Sequence, residues 1–323
     1  MASQLPAFSP CYTWPQEAFP FRLYFESAKL RIFIIENFFH NYNWMKKYGS
    51  CINETDVFIV LLGWHHSDWH VKHSCDCLKD CGINKEQFVV LCNDYDDFML
   101  FSDYDFCCVI VNQNCFLDTT KFSPSHDIKK EYDAIYTARL VDFKRHYLAK
   151  KVQNLALVVG NPNSANELPD IPPARYINNV PLPSNEVQIK LNQAKVGLIL
   201  SDIEGACFAS SEYLLCGLPV VSTTSRGGRS IWYNSYNSII CDADPDAVNQ
   251  SVQKLIEAKP DPGRIRAQHI ELSNHFIRNF IILLQNLFDK YSINSAADVF
   301  FTNNYFHKMR ISVKPDFGAI FGR

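Results

Sequence analysis

The chain has 323 residues, 47% hydrophobic and 20% charged, with a formal net charge of -3. That length exceeds what one core commonly organises, so two domains are expected, and the apolar content excludes a disordered chain. The near-neutral charge supplies no basic face for duplex nucleic acid, which is not expected as a partner.

In chain order, MASQLPAFSPCYTWPQEAFPF has no basic start followed by an apolar core, so no secretory leader is expected and the 12 Cys read as reduced cytosolic thiols. VFIVLLG (57–63), QFVVLCN (87–93) and CCVIVNQ (107–113) are short, rich in β-branched residues and bounded by polar or turn residues, as buried strands are. Between them SDWHVKHSCDCLKDCG has a candidate N-cap at Ser67 and a stop at Gly82, and DYDDFMLFSDYDF is a shorter helix candidate. This alternation predicts a small parallel sheet. The polar LDTTKFSPSHDIKKEYD, with Pro124, reads as a linker between domains 1–125 and 126–275, followed by a helical region 276–323. The second series predicts strands at AIYTAR, LALVVGN, ARYINNV, KVGLILS, PVVSTT and SIICDA. Helices are predicted at KRHYLAKKVQ, SNEVQIKLNQA, ACFASSEYLLC and PDAVNQSVQKLIEA. The chain is therefore α/β, with a doubly wound sheet in its second half. VFIVLLGW and FIRNFIILLQNLF fall short of the roughly 20 residues a spanning helix needs. A soluble cytoplasmic protein is expected, at most peripheral to a membrane.

The stretch SDIEGACFASSEYLLCGLPVVST holds Glu204 in a loop after a strand and Glu212 inside a helix that Gly217 and Pro219 end. In open α/β sheets ligands bind beyond the carboxyl ends of strands, where a helix start offers amides to an anion and Gly205 permits close approach. Were all the intervening residues helical, the two acids would lie at most roughly 12 Å apart, about the length of a nucleoside diphosphate-sugar. Carboxylates are acceptors only, so hydroxyls of sugar and ribose suit them. Spacing alone equally allows a solvated Glu212 and a capping Glu204. Arg139, closing the strand in YDAIYTARLVDFKRH, and Lys144 just after it add the cations a diphosphate needs.

Together these segments resemble the retaining glycosyltransferases of the family 4 type (glycosyltransferase group 1). The family signature sets two Glu with seven residues between them ahead of a small-Gly-x-Pro-Val-Val-x-[ST] run, here Glu204, Glu212 and CGLPVVST. A strand ending in Arg with Lys five residues on is here ARLVDFK; TSRGGRSIWYNSYNSII and RYINNVPLPSNEVQIKLNQAKVGLILS are similar to the flanking segments. The resemblance covers about residues 132 to 258. It implies the GT-B fold: two Rossmann-like domains with parallel sheets facing across a cleft, the N-terminal one small, and a C-terminal helical region returning to that domain.

The resemblance also implies that a sugar passes from a nucleoside diphosphate-sugar to a hydroxyl of a glycan, glycolipid or small molecule, with retention, as in polysaccharide biosynthesis. Arg139 and Lys144 would hold the diphosphate, Glu204 the transferred sugar and Glu212 the ribose. The amides of Gly205, Ala206 and Cys207 would face phosphate or sugar, and Tyr176 and Ile177, in the stretch Tyr176 to Val180, the base. No metal or other cofactor is expected. The leaving phosphate would help deprotonate the acceptor. After Gly227 and Gly228 many relatives place an acid, whereas Arg229, Ser230 and Ile231 follow here. A sugar-nucleotide epimerase and a catalytically silent scaffold share the fold.

In GWHHSDWHVKHSCDCLKDC, His66, His70, His73, Cys77 and Cys81 fall along one helix face. Such a stripe is either a face packed on the sheet or a set of metal ligands, and structural zinc more often uses paired knuckles. His65 or His66, just beyond a strand, is a candidate acceptor contact.

Overall fold

The computed structural model describes residues 11–13, 20–162, 170–305 and 307–309. The chain forms two compact units, Met1–Phe116 with Asn274–Arg323, and Leu117–Ser273. The first crossing thus falls ahead of the boundary expected at 125. Gln113–Phe116 form a buried 3₁₀ turn, and the Phe116 ring lies 5.1 Å from that of Phe280, which keeps this stretch in the first unit.

The first unit holds a sheet of β1 (Cys11–Thr13), β2 (Pro20–Glu26), β3 (Arg31–Glu36), β4 (Asp56–Leu61), β5 (Phe88–Cys92) and β6 (Cys107–Ile110), in that spatial order. The expected strands are β4, β5 and β6. The sequence reading did not mark β2 and β3, which pair antiparallel around a tight turn where the Ser27 hydroxyl accepts from the Leu30 amide at 3.1 Å. From β3 to β6 all pairs are parallel and every step moves the same way. Right-handed crossovers then put α1 (Tyr42–Tyr48), α2 (Asp68–Asp80) and α3 (Tyr95–Ser102) on one face. There Trp44, Met45, Val71, Leu78 and Phe101 pack with Phe33, Phe58, Phe88 and Val90. Each such side chain contributes about 1.5–3 kcal/mol by leaving water.

Elsewhere in this unit a bulge between Leu23 and Phe25 breaks the alternation of β2. Tyr24 and Phe25 consequently both meet the helices α7 (Pro262–Lys290) and α8 (Ala297–Asn304): Phe25 lies 4.9 Å from Phe288, and Tyr24 5.1 Å from Phe300.

The second unit is a wholly parallel sheet of β7 (Tyr132–Thr137), β8 (Leu155–Val158), β9 (Tyr176–Ile177), β10 (Ala194–Ile199), β11 (Val220–Thr223) and β12 (Ser238–Cys241). Their spatial order, β9-β8-β7-β10-β11-β12, reverses between β7 and β10. The helices are α4 (Ser184–Asn192), α5 (Phe208–Leu215) and α6 (Pro245–Ala258). On one face Tyr136, Leu157, Leu198 and Val221 pack with Leu148, Val248 and Val252. On the other, α5 approaches β10 so closely that a Cβ on Gly197 would lie 2.3 Å from the Tyr213 ring.

Two expected elements differ. KRHYLAKKVQ is not an α-helix but two 3₁₀ turns, Asp142–Lys144 and His146–Ala149, with Arg145 left-handed between them at φ 50°. ARYINNV shortens to β9: past Ile177 the buried Asn178 side chain takes up the Val159 backbone in place of a ladder pair, its Oδ1 accepting from the Val159 amide at 2.6 Å and its Nδ2 donating to the Val159 carbonyl at 2.8 Å.

Burial holds four histidines below their ordinary value of 6.5: His40 and His146 at about 4, His66 and His269 at about 3. Each stays neutral in the fold at a pH where the unfolded chain takes up a proton. Stability is therefore expected to fall as pH drops from 6.5 toward 4. Asp97, pushed up to about 7 by burial and by Asp94, and Asp94, itself raised by burial, act in the opposite sense, but as two carboxylates against these four histidines and His70, which burial also lowers. Melting temperature followed from pH 7 to 4 should decline steadily; a flat profile would contradict this balance.

Candidate functional site

An order reversal in a parallel sheet opens a crevice beyond the carboxyl ends of the two strands that part there. In the second unit those strands are β7 and β10, and their following loops carry the predicted residues. After β7 the chain runs through Arg139 and a 3₁₀ turn to Lys144, whose carbonyl is fixed by the buried Tyr136 hydroxyl at 2.6 Å. The left-handed Arg145 then sends its guanidinium under the site, to the Leu200 carbonyl and the Thr223 hydroxyl, both at 2.7 Å. That ties the β7 loop to the ends of β10 and β11.

After β10, Ile203 bridges Arg226 in parallel, and the Glu204 amide bonds the Arg226 carbonyl at 3.0 Å. Gly227, at φ 111°, lets the two loops touch: a Cβ there would sit 2.1 Å from the Glu204 carbonyl oxygen. The next residues turn through left-handed Cys207 into α5.

These two loops bring Lys144 and Glu204 together as an ion pair, with side chains 12% and 9% exposed. The Ser201 hydroxyl donates to the same carboxylate oxygen, Oε1, at 2.6 Å. Arg139 is exposed, and its guanidinium lies 6.0 Å from the Phe143 ring centre, while the Lys144 ammonium lies 5.3 Å from it. One aromatic ring thus carries both predicted cations. Glu212 is buried on α5 at 7% exposure. Next to it, Tyr213 accepts from the Thr137 amide at 2.6 Å. Tyr213→Phe should leave that donor unpaired and cost about 1–3 kcal/mol. For a chain this size that lowers the melting temperature by about 2–4 °C per kcal/mol, readable by calorimetry.

The field of the pair reaches its neighbours. Burial, with the Glu204 charge second, raises the Cys207 thiol to about 11. The same causes push the Tyr136 phenol well above its ordinary range. Burial, helped by Lys144, drives His146 down.

Sequence reasoning gave Ser201 and Arg145 no role, and marked Arg229 only as standing where many relatives place an acid. The Arg229 side chain does not line the site as an exposed cation. It is 1% exposed and bonds Ser201 Oγ at 2.7 Å and the carbonyls of Ser201 at 2.8 Å and Thr223 at 2.9 Å. Beside it a hollow of about 150 Å³ is lined by Ser222, Thr223, Thr224, Ser225, Ser230 and Tyr233.

Tyr176 and Ile177 lie on edge strand β9, away from the reversal. The Tyr176 ring takes the Lys190 ammonium at 4.0 Å and packs 6.2 Å from Tyr132, at the start of β7, while Ile177 is 42% exposed. The structure does not bring this tyrosine ring to the Lys144–Glu204 pair.

In the first unit His65 is half-buried and His66 fully buried. His66 Nδ1 faces the Trp64 carbonyl at 2.8 Å, and its ring lies between Phe39 and Phe101 at 5.3 and 5.4 Å. His70 serves as the capping-box partner of Ser67, and His73 stacks on Trp69 at 5.2 Å. Among the described residues no group of three or more His, Cys, Asp or Glu is placed to hold a metal ion.

No protein-family model matches the chain, and no curated protein matches it. Solved structures do. Sucrose-phosphate synthase from Thermosynechococcus elongatus superposes with a TM-score of 0.56 at 13% identity, over 82% of this chain and 74% of that one. HepE from Anabaena, in complex with UDP, gives 0.53 at 13% identity over 72% of both chains. A TarM mutant from S. aureus, in complex with fondaparinux, alpha-GlcNAc-glycerol and UDP, gives 0.52 at 15% identity over 75% of this chain. The present chain spans 52% of that TarM chain. Identities this low speak for architecture, and the architecture is α/β of the GT-B glycosyltransferase type, two Rossmann-like units each built on a sheet with parallel strands.

Proposed function

We propose that this protein transfers a sugar from a nucleoside diphosphate-sugar to a hydroxyl acceptor, with retention of anomeric configuration. The observation that carries the reading is the Lys144–Glu204 pair at the sheet reversal, with Arg139 on the same Phe143 ring. Arg139, Lys144, Arg145 and the buried Arg229 are matched in number at these strand ends by Asp142, Asp202, Glu204 and Glu212, so it is the placement of Arg139 and Lys144 together, and not a net positive charge, that suits an anionic diphosphate.

In this reading Arg139 and Lys144 bind the diphosphate and stabilise the negative charge that grows as the bond from the anomeric carbon to the phosphate oxygen breaks. Glu204 is a poor nucleophile, since its charge is already compensated by Lys144 and one oxygen is hydrogen-bonded. Instead it accepts hydrogen bonds from the sugar, and Glu212 accepts from the ribose. The acceptor oxygen attacks from the face the phosphate leaves. Its proton passes to the departing phosphate oxygen, which balances the step and retains configuration. The cationic side chains supply the charge, so the reading calls for no metal.

HepE, TarM and sucrose-phosphate synthase are described with UDP or by a sugar-phosphate product, which favours a nucleotide-sugar donor here. We place the activity in the cytosol, in keeping with the free thiols from Cys51 to Cys241. No described helix is long and apolar enough to cross a membrane.

The test is release of free nucleoside diphosphate from a panel of donors, with and without glycan and small hydroxyl acceptors. Acceptor-dependent release is expected. Epimerised donor without release would overturn transfer in favour of an epimerase, and binding without turnover would favour a silent scaffold.

A further inference from the structure

We propose that Arg229 and Ser201 are positioning residues that decide which oxygen of Glu204 is offered to the transferred sugar; this rests on the nucleotide-sugar reading above. Arginine has donors only. When Arg229 Nη1 donates to Ser201 Oγ at 2.7 Å, it occupies a lone pair of that hydroxyl, and the single Ser201 proton is left for Glu204 Oε1 at 2.6 Å. The other guanidinium nitrogen, on the carbonyls of Ser201 and Thr223, fixes the fork so that it cannot swing away.

Lys144 also bonds Oε1. Both donors therefore fall on one oxygen, and Oε2 has no partner among the described residues, in a side chain that keeps 9% of its surface exposed. A carboxylate pinned through one oxygen has a set plane, so Oε2 presents its lone pairs in a fixed direction. The two anchors are not equivalent. An incoming diphosphate competes for the Lys144 ammonium, whereas Ser201 has no anion to follow. Once the donor is bound, the Arg229–Ser201 brace is the anchor that remains on Oε1. The arginine after Gly227–Gly228, where the sequence pattern suggests an acid, thus acts inward through a serine rather than on the ligand itself.

The experiment uses the full chain, with UDP, GDP and ADP and the glucose derivative of each. Calorimetry gives the Kd of the bare diphosphates, and product release gives kcat/KM for the sugar donors. For Ser201→Ala, kcat/KM is expected to fall about tenfold or more, while the Kd of the bare diphosphate stays within about twofold. Arg229→Lys, which keeps the charge and loses the fork, is expected to show the same split with a smaller loss. A Ser201→Ala protein with wild-type kcat/KM, or one that loses diphosphate and donor in equal proportion, overturns the brace. If Ser201→Ala has no cooperative thermal transition, Arg229→Lys decides by the same comparison. A wild-type chain that binds none of the diphosphates overturns the nucleotide-sugar site itself, a result distinct from failure of the brace.

Discussion

Lys144→Ala is expected to lower kcat/KM for donor turnover by about 10²–10³-fold, the scale seen when one preorganised stabiliser of developing charge is removed. It should also destabilise the fold. With side chains only 12% and 9% exposed, the Lys144–Glu204 pair is largely out of water, and deleting the cation strands the carboxylate. Breaking such a pair from one side costs about 3–5 kcal/mol. The two effects separate in a double substitution. Lys144→Met with Glu204→Gln removes both charges, so most of the stability should return while activity stays lost. Thermal unfolding and product release on the same samples check this. Recovery of activity with stability would show that the pair serves folding alone and would remove Lys144 from the proposed chemistry.

Gly227→Ala should be the most damaging small substitution in the second unit. At φ 111° and ψ 164° the residue occupies a region that is essentially open to glycine alone, with strain of about 1–3 kcal/mol for any side chain. The new methyl would also meet the Glu204 carbonyl oxygen at 2.1 Å, so the Glu204 loop has to move. Lower melting temperature and weaker donor binding should appear together. Gly82→Ala provides the comparison: its φ is also positive, at 66°, but a Cβ there meets nothing within 4 Å. That variant should show only the conformational cost. Equal behaviour of the two alanine variants would remove the argument that Gly227 sets the Glu204 loop.

Much of the frame was legible because its strands are buried on both faces and appear as unbroken apolar runs. β5 and β11 lie within the predicted stretches, and β4 and β10 begin one residue ahead of theirs. β2 and β3 were harder: PFRLYFESAKLRIFIIE interleaves Arg22, Glu26, Lys29 and Arg31 with its apolar residues, and its bulge breaks the alternation that marks a strand. KRHYLAKKVQ has helical composition, yet Arg145 makes tertiary bonds to Leu200 and Thr223 that a helix would forbid. Propensity is a weak prior against such bonds.

The site divides in the same way. Lys144 and Glu204 could each be singled out in advance, one for the diphosphate and one for the sugar, because both belong to ordered motifs at strand ends; that they pair with each other is visible only in the structure. Ser201 carried no motif weight of its own, and Arg229 stood out only as a departure from the acid many relatives place after the two glycines; its burial is visible only in the structure. At Tyr176 the resemblance implied a place beside the base, and the structure adds that its ring is engaged with Lys190 and Tyr132.

The succession Lys144, Arg145, His146 assigns three adjacent side chains to three unrelated surroundings: the Glu204 carboxylate, the strand-end carbonyl of Leu200, and an apolar niche where the imidazole lies 4.8 Å from the Tyr136 ring. Loops ordinarily absorb insertions and deletions. This one has no slack, since deleting a single residue between Arg139 and Lys144 would send Arg145 toward Glu204 and His146 toward the strand-end carbonyls, leaving the niche beside Tyr136 to Tyr147. Its length, as much as its composition, is under constraint, and homologues or engineered chimaeras that keep Arg139 and Lys144 but change the count between them should fail to form the Lys144–Glu204 pair.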